Sequence, residues 1–446
     1  MTRIPVLMLS NGMNLGGVEK TVIAFAKEFD PHRFEVHIGC FLTEGVRTKE
    51  AKETGLPYIF FNGNEDQLHT YLLDHDITVL HSHEQGIHTD AVLRAASNTA
   101  VQCMIQINVF SLANASDTQF DRQLFISTTN LLKYNWLNNL PFDIQKRGVL
   151  YNPINLTKLD TYTIDFPKRT AFRSELGIGE EHIVLGKIAR KTLGKWSDLN
   201  LDILPSLLKL HQNVRFLVLG LPDSRWRLAR RMKVDHAIIR VEETTDVERL
   251  AHYYQAMDIL VHFSKIGECC SAAIQEAMAF KLPIITNSTP FSRSHYRYVD
   301  NGQIEQVSPG VNGFIANSPR SIVAAISELC TQPEKRQSFG TASRKLLDSC
   351  ALPRLTRQLE KTTLEILAEK GDEEVKPILR KDYAKIAYRP TEEEILTYIS
   401  DYPRLAATDY LAPTMRDRFS ELYRLKIRNK IRAIRDQLAI RSGQEA

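Results

Sequence analysis

The sequence has little that would mark a secreted, membrane-spanning or metal-stabilised protein. Its 446 residues include six cysteines, and they have neither the C-x-x-C spacing of a zinc site nor the pattern of a disulfide framework. The apolar run Ile4–Leu9 is too short for a signal-peptide core. The uncharged stretch 95–116 is interrupted by Asn, Gln and Ser side chains, which argues against a membrane span. We therefore expect a cytoplasmic protein in a reducing compartment.

The chain also lacks a strong excess of charge. It has 57 Lys and Arg against 53 Asp and Glu, a formal net charge of +4, which argues against a nucleic-acid partner. The excess is local, since residues 413–446 hold nine basic and four acidic residues. With 43% hydrophobic and 25% charged residues, the composition is typical of globular proteins, and the length predicts two domains and a tail.

Apolar strand-like runs alternate with helical patterns in both halves of the chain. In the first half the predicted strands are Ile4–Leu9, Phe34–Ile38, Ile77–His81, Cys103–Ile107, Leu124–Ser127 and Val149–Tyr151. In the second half they are Ile183–Ile188, Val214–Leu219, Ala237–Val241, Ile259–Phe263 and Pro283–Thr286. This alternation predicts an α/β protein with two doubly wound, Rossmann-like domains facing across a cleft.

The predicted domain order has four parts. We place the first domain at residues 1–165 and the second at residues 166–350. A helix over residues 351–371 is expected to return to the first domain. Residues 372–446 are expected to form a helical, basic C-terminal extension.

A glycine-bearing loop, Asn11–Glu19, follows the first strand and precedes the first helix. Gly16 and Gly17 would let a phosphate approach the backbone, and the positive end of the helix favours an anion. A tight strand-to-helix turn explains the two glycines equally well. The loop has neither the G-x-G-x-x-G pattern nor the Walker pattern.

Charged residues also follow two predicted strands of the second domain. Arg190 and Lys195 come after Ile183–Ile188, where cations could hold a diphosphate, although a solvated basic loop would look the same. Glu268 and Glu276 follow Ile259–Phe263 and stand eight positions apart. With a helix starting near residue 270, they would lie at its N-terminus and about two turns inside it. Carboxylates at these heights could accept hydrogen bonds from sugar hydroxyls.

Residues 252–286, HYYQAMDILVHFSKIGECCSAAIQEAMAFKLPIIT, resemble the E-x7-E block of the retaining, GT-B-fold glycosyltransferases of family 4. The resemblance covers roughly residues 1 to 370. Its other parts are similar to the family's glycine loop and first helix, its interdomain segment, its Arg and Lys phosphate block and its closing turn, in that order: LSNGMNLGGVEKTVIAFAKEF, GVLYNPIN, LGKIARKTLGKW and GVNGFI.

The resemblance implies transfer of a sugar from a UDP- or GDP-linked donor to an acceptor hydroxyl with retention of configuration. It implies neither a metal nor a further cofactor. By position, Glu268 would contact the donor sugar and Glu276 the ribose, while Arg190 and Lys195 would hold the diphosphate. Gly16 and Gly17 would face the diphosphate from the first domain, and N–H groups near Ser271 and Ala272 would cap it.

Three positions depart from the family pattern. Asn108 stands about where the family usually has a histidine near the reacting sugar, Cys269-Cys270-Ser271 replaces a common Phe-Gly pair, and Ala189 replaces a glycine. These departures keep two alternatives open. One is a non-catalytic glycosyltransferase-like subunit of a glycosylation complex, and the other is a nucleotide-sugar epimerase, which should convert its donor without an acceptor.

Two histidines add further candidates on the acceptor side. His81 and His83 come at the end of a predicted strand and could orient acceptor or donor, as Asn108 could. A polar side chain satisfied by a neighbouring loop is an equally good interpretation of each histidine. Asp74-His75-Asp76 looks like a D-x-D metal signature, but it precedes a strand, so we assign it no metal.

The basic extension predicts an amphipathic helix. Its apolar residues are spaced for one helical face, with an arginine stripe beside them: Tyr423, Ile427, Ile431, Ile434 and Leu438, then Arg424, Arg428, Arg432 and Arg435. Such a helix could lie on the inner face of an anionic membrane, where the resemblance implies that many members of the family act on lipid-linked acceptors. Packing on the protein body or on a partner protein is an equal alternative. The acceptor class, whether glycan, lipid-linked or protein, stays open.

Overall fold

The computed structural model describes residues 3–14, 16–84, 89–113, 115–244, 246–290 and 299–407. The chain forms two compact units. The first comprises Met1–Pro153 and Ser349–Thr397, and the second comprises Ile154–Asp348 and the chain from Tyr398 onwards. The first unit thus ends before the expected boundary at 165, because the segment after Pro153 bonds to the second unit: Asp160 pairs with Arg344 at 2.8 Å.

The first unit contains a seven-stranded parallel sheet in its described residues, in the order β3-β2-β1-β4-β5-β6-β7. Its strands are rich in apolar side chains because both faces of such a sheet are covered by helices. They are β1 Ile4–Gly12, β2 Phe34–Thr43, β3 Tyr58–Phe60, β4 Val79–Glu84, β5 Cys103–Asn108, β6 Arg122–Phe125 and β7 Arg147–Val149.

The helices of the first unit come from both of its chain segments. Those before residue 153 are α1 Gly17–Glu28, α2 Thr48–Lys52, α3 Glu65–Asp74, α4 Thr89–Ala96 and α5 Thr128–Leu137, with a 3-10 turn at Ala115–Gln119. Those of the second segment are the 3-10 turn Leu347–Cys350, α15 Leu352–Glu369, α16 Val375–Ile378, a π-helical turn Leu379–Tyr383 and α17 Glu392–Ala407. The two boundaries of this segment fall within the 3-10 turn and within α17.

Helix α15 is fixed to the first unit by polar contacts along its length. Glu360, which is 1% exposed, accepts hydrogen bonds from the Asp30 backbone N–H at 2.7 Å and from the Tyr383 hydroxyl at 2.8 Å. Near its end, Glu369 pairs with Arg122 at 2.8 Å. The two bonds to Glu360 satisfy a buried carboxylate that would otherwise oppose folding.

The second unit contains a six-stranded parallel sheet in its described part, in the order β10-β9-β8-β11-β12-β13. Its strands are β8 Ile183–Ile188, β9 Val214–Leu219, β10 Ile238–Val241, β11 Ile259–His262, β12 Ile284–Thr286 and β13 Gly313–Ile315. Since every ladder is parallel, the carboxyl ends of β8 and β11 meet at one edge of the sheet. The predicted α/β class with two parallel sheets is confirmed.

The helices of the second unit cover both faces of this sheet. They are α6 Leu156–Asp160, α7 Phe166–Glu175, α8 Leu199–Asp202, α9 Leu204–Leu210, α10 Asp223–Arg231, α11 Val247–Ala256, α12 Ala272–Ala279, α13 Pro319–Thr331 and α14 Pro333–Leu346. Three 3-10 turns accompany them at Leu193–Lys195, Asp235–Ala237 and Gly302–Ile304. The predicted helix over 198–211 is divided at Ile203 because Pro205 lacks the N–H that a continuous helix needs.

A partly buried ion-pair network joins α7 to β8 and β11. Asp258 accepts from Arg169 at 2.9 Å, from Arg173 at 2.6 Å and from the Val184 backbone N–H at 2.8 Å. Three donors on one carboxylate compensate for its removal from water. Among the residues described, no helix combines the length and apolar composition needed to cross a bilayer. The predicted amphipathic helix in 413–446 lies outside the described residues.

Candidate active site

The site in the second unit is built at the carboxyl ends of β8 and β11, where ligands bind in open parallel sheets. Lys187 is the penultimate residue of β8, and His262 is the last residue of β11. Lys195 ends the short turn that follows β8. Glu268 lies in the loop between β11 and α12. The topology therefore gathers two lysines, a histidine and a glutamate at one sheet edge, a set that we call the Glu268 cluster.

Both carboxylate oxygens of Glu268 are engaged. Oε2 accepts from Lys195 Nζ at 2.5 Å, and Oε1 lies 3.2 Å from His262 Nε2. Burial alone would raise the pKa of Glu268, but the hydrogen bond from His262 and the charge of Lys195 outweigh it and lower the pKa to about 2. Glu268 is therefore an anion that is held in place by two donors.

His262 is a neutral donor in this cluster. Burial, together with the charge of Lys187, lowers the pKa of His262 to about 4. Its Nε2 carries the proton that bonds Glu268, so its Nδ1 is an unprotonated acceptor. Within the described residues, that buried Nδ1 has no hydrogen-bond partner.

The loop that carries Glu268 is fixed by two glutamines. Gln303 Oε1 accepts from the Glu268 backbone N–H at 2.9 Å, and Gln306 Oε1 accepts from the Ser271 backbone N–H at 2.9 Å. Gly267, the residue before Glu268, has φ +70°, a conformation that L-residues rarely adopt. A Cβ there would meet the Asp300 carbonyl oxygen at 1.8 Å. The position of Glu268 is thus determined by backbone contacts as well as by its own carboxylate.

Helix α12 follows this loop and presents the second glutamate. Ser271 caps the helix, its hydroxyl accepting from the Ile274 backbone N–H at 3.3 Å. The Ser271 N–H already donates to Gln306, whereas Ala272, the first helical residue, is exposed. Glu276 is partly buried, and its Oε2 accepts from the Tyr254 hydroxyl at 2.9 Å. Burial raises the pKa of Tyr254 well above its usual value, so the phenol stays a donor.

Arg190 is separate from the cluster in the structure. Its side chain is exposed, and among the described residues no hydrogen bond or ion pair holds its guanidinium. Its carbonyl oxygen accepts from the Trp196 indole N–H at 3.3 Å. Of the two predicted phosphate cations, the structure brings Lys195 to Glu268 and leaves Arg190 facing solvent.

In the glycine loop of the first unit, a side chain of the protein itself lies against Gly16. Gly16 is the N-cap of α1, and a Cβ at Gly16 would meet the Glu19 carboxylate at 2.1 Å. Glu19 is buried, at 4% exposure. A carboxylate of the protein itself therefore lies beside the predicted phosphate position, whereas the space around Gly17 is open, with nothing within 4 Å of an added Cβ.

The two histidines of β4 are buried, with exposures of 0% for His81 and 1% for His83. Burial lowers the pKa of each to about 3, so both imidazoles are neutral. His81 Nε2 lies 3.0 Å from Thr363 Oγ1, whose proton goes to the Leu359 carbonyl. This bond ties His81 to α15, while its buried Nδ1 has no hydrogen-bond partner within the described residues. His83 packs near Phe25, with 6.3 Å between ring centroids.

Asn108, the third acceptor-side candidate, shapes a turn. Its Nδ2 donates to the Leu112 carbonyl at 2.9 Å, and its Oδ1 accepts from the Ser111 N–H at 2.8 Å. The side chain is fully buried. The oxygen and the nitrogen of the amide both bond within residues 108–112. Asn108 therefore holds the turn after β5 together, and its side chain is not exposed on the surface of the loop.

Sequence reasoning did not single out four residues that build this site: Lys187, His262, Gln303 and Gln306. The first two had a signal, because each is a polar residue inside a strand that is otherwise apolar and buried on both faces. The two glutamines had none, since their role depends on the fold of the loop between β12 and β13.

The second unit matches a known protein family over most of its length. Residues 168–346, which include the whole Glu268 cluster, match the family model described as Glycosyl transferases group 1. A comparison with curated proteins gives no match.

Solved structures resemble the chain over most of its length. A glycosyltransferase from Rickettsia africae has a TM-score of 0.68 at 17% identity and covers 82% of this chain and 99% of its own. HepE from Anabaena in complex with UDP has a TM-score of 0.63 at 16% identity, and the match covers 80% of this chain and 99% of HepE. Sucrose-phosphate synthase from Thermosynechococcus elongatus has a TM-score of 0.60 at 14% identity, and the match covers 82% of this chain and 100% of the synthase. These likenesses show the GT-B fold.

Proposed function

We propose that the chain is a nucleotide-sugar-dependent glycosyltransferase, which moves a sugar from a UDP- or GDP-linked donor to an acceptor hydroxyl with retention of configuration. The observation that carries the proposal is the Lys195–Glu268 ion pair, at 2.5 Å, inside the segment that matches Glycosyl transferases group 1. It places a cation suited to a diphosphate next to an anion suited to sugar hydroxyls, at the ligand-binding edge of the sheet.

The diphosphate would be held by Lys195, by Arg190 and by the start of α12. Arg190 is exposed and can turn to an incoming anion. At α12, the Ser271 N–H is taken by Gln306, so the capping role falls to the Ala272 N–H and the helix dipole. These groups would stabilise the charge that develops on the departing diphosphate, which is usually the largest electrostatic contribution in such a transfer.

The two glutamates would position the rest of the donor. Glu268 would accept hydrogen bonds from the sugar, because a carboxylate that binds His262 and Lys195 still has lone pairs to offer. Glu276 would accept from the ribose, with the Tyr254 hydroxyl fixing its orientation. The acceptor hydroxyl would attack on the face from which the diphosphate leaves, which retains the configuration.

The first unit would supply the acceptor side. We retain Gly17 as its backbone contact to the diphosphate, since the space there is open, and Gly16 as the helix cap beside Glu19. His81, His83 and Asn108 are buried, so we propose that they shape the neighbouring loops and leave direct contact with the acceptor to other residues.

A non-catalytic glycosyltransferase-like subunit is the second candidate. The observation that favours it is the turn at Asn108, whose side-chain amide donates to the Leu112 carbonyl and accepts from the Ser111 N–H. No catalytic side chain then stands at the position where the family usually has a histidine. Such a subunit would bind a nucleotide and never release its sugar.

Donor hydrolysis separates the two candidates without knowledge of the acceptor. Purified protein is incubated with UDP- and GDP-sugars, and release of sugar is followed for the wild type, Lys195→Met and the exposed-lysine control Lys209→Met. A transferase releases sugar slowly, Lys195→Met falls by at least about 100-fold with its fold intact, and Lys209→Met matches the wild type. Unchanged turnover in Lys195→Met would refute the assignment of this site.

The stereochemistry and the membrane contact need their own tests. Proton NMR of the released sugar, recorded before its anomers equilibrate, should show the anomer of the donor, and the opposite anomer would exclude retention.

We further propose a cytoplasmic protein whose segment 413–446 binds anionic lipid at the inner face of a membrane. Vesicles rich in anionic lipid should sediment the protein at low salt, and loss of binding on removal of that segment would support the proposal. A failure to sediment would leave a protein partner as the alternative.

A further inference from the structure

Lys187 has no role in the function proposed above, although it lies beside the site. Its side chain is fully buried, and within the described residues its Nζ has no hydrogen-bond partner. The Nζ lies 5.2 Å from the centre of the Trp196 ring, which is itself 1% exposed. The aromatic face gives a weak attraction to a cation and accepts no full hydrogen bond.

An amine in this position opposes folding. A buried polar group without a hydrogen-bond partner costs free energy, and a buried unpaired charge costs more. Burial, together with the charge of Lys195 and against that of Glu268, lowers the pKa of Lys187 to about 7. A methionine would fill the same space without either cost. The position therefore carries an ionisable group where packing alone would favour an apolar one.

Within the described residues, the charged groups that act on the Lys187 amine, Glu268 and Lys195, belong to the Glu268 cluster. Glu268 attracts its charge and Lys195 opposes it, while a charged Lys187 in turn disfavours protonation of His262. Lys195 already occupies one oxygen of Glu268 and is 19% exposed, so it is the lysine that an incoming diphosphate can reach. Lys187 is fully buried, so an incoming diphosphate does not reach it directly.

We propose that Lys187 is the reserve counter-ion of Glu268: when the diphosphate of the donor draws Lys195 away, Lys187 takes up a proton and keeps Glu268 ionised and in place. This inference rests on the proposed function. The proton comes from the solvent, and no other bond forms or breaks. Lys187 is a positioning residue, since it acts on the donor through Glu268.

His262 is the other group in the cluster that could take the proton. Its Nε2 already donates to Glu268, so a second proton would have to go to the buried Nδ1. The pKa of His262 is about 4, against about 7 for Lys187. Near neutral pH the lysine is therefore much closer to protonation, and it is the group that an added negative charge titrates first.

Calorimetric titration with UDP tests the proposal, with GDP and ADP in reserve. The heat is measured in two buffers of different ionisation enthalpy, slightly above neutral pH. Wild-type protein should take up roughly half a proton per nucleotide, and its affinity should fall by up to about tenfold per pH unit above neutrality. Lys187→Met should bind with no uptake and a flat pH profile. Lys209→Met, the exposed control, should match the wild type.

The outcomes separate the two proposals. If the wild type binds a nucleotide without proton uptake, or if Lys187→Met keeps the uptake, the reserve counter-ion is refuted and the transferase stands. If no nucleotide binds, the proposed function fails and the inference fails with it. Should Lys187→Met not fold, NMR of wild-type protein labelled at the lysine Cε carbons gives the answer directly. One lysine signal should titrate near neutrality without nucleotide and above about pH 8 with it, and an unmoved signal would refute the inference.

Discussion

Replacing Lys187 by methionine should change how the stability of the protein depends on pH. The pKa of this amine is about 7 in the folded protein, against 10.5 for an ordinary lysine. Between these values the unfolded chain holds a proton that the folded protein does not. The free energy of unfolding of the wild type therefore rises with pH in this window. Below the folded pKa both states are protonated, so the destabilisation that the buried charge causes no longer changes with pH and is at its largest.

The size of the effect follows from this proton difference. Each pH unit in the window contributes about 1.4 kcal/mol at most. Because the folded amine is half protonated at about pH 7, the wild type should gain about 2 kcal/mol relative to Lys187→Met between about pH 7 and pH 9. The variant should be the more stable protein at neutral pH, and the difference should shrink as the pH rises.

Urea denaturation followed by tryptophan fluorescence measures this difference. The chain has three tryptophans, so replacing Trp136 and Trp226 by phenylalanine leaves Trp196, the ring beside Lys187, as the reporter. Comparison of Lys187→Met with its parent cancels every other titrating group that the two proteins share. A stability difference that is the same at both pH values would refute the reasoning, and Lys209→Met in the same background shows what an exposed lysine does.

Three further predictions concern the second unit. Asp258→Ala leaves the buried Arg173 charge without its partner and should lower the free energy of unfolding by about 3–5 kcal/mol, measured by urea denaturation. Gly267→Ala should cost more than about 1 kcal/mol and impair donor hydrolysis, because the new Cβ meets the Asp300 carbonyl. Tyr254→Phe removes the hydrogen bond to the second glutamate and should weaken UDP binding by about fivefold in calorimetry.

The first two of these predictions have a matched control. Glu35→Ala breaks the exposed pair with Arg3 and should change stability by less than about 0.5 kcal/mol. Gly177→Ala has the same positive φ of +71° with open space around its Cβ, so it isolates the steric part of the Gly267 effect. Equal losses in Asp258→Ala and Glu35→Ala would show that the partly buried network carries no special weight.

The sequence predicted the strands of both sheets better than the interruptions between elements. Ile183–Ile188 and Val214–Leu219 were predicted with their exact bounds, because a continuous apolar run is what a strand buried on both faces requires. Tyr58–Phe60 and Gly313–Ile315 were missed, and each is only three residues long. The division of the helix at Ile203 was foreseeable from Pro205 and was overlooked.

The site was predictable in its residue types and not in its pairings. Glu268 and Glu276 could be placed from their spacing around the start of a helix. The bond between Lys195 and Glu268 joins residues 73 positions apart, and it depends on β8 and β11 being neighbours in the sheet, which no local pattern specifies. The burial of His81 depends in the same way on Thr363 of the returning helix. Roles that rest on long-range packing therefore had to come from the structure.

The central claim is that the Glu268 edge of the second unit binds a nucleotide-linked sugar, and thermal denaturation with a nucleotide panel tests it most directly. The wild type and Glu276→Ala are compared with UDP, GDP, ADP and their common sugars. At about 100 times its dissociation constant a ligand adds about 2.7 kcal/mol, which raises the melting temperature by a few degrees. We predict that one nucleotide class stabilises the wild type and that Glu276→Ala loses the response. A panel without any response, or an undiminished response in Glu276→Ala, would contradict the account.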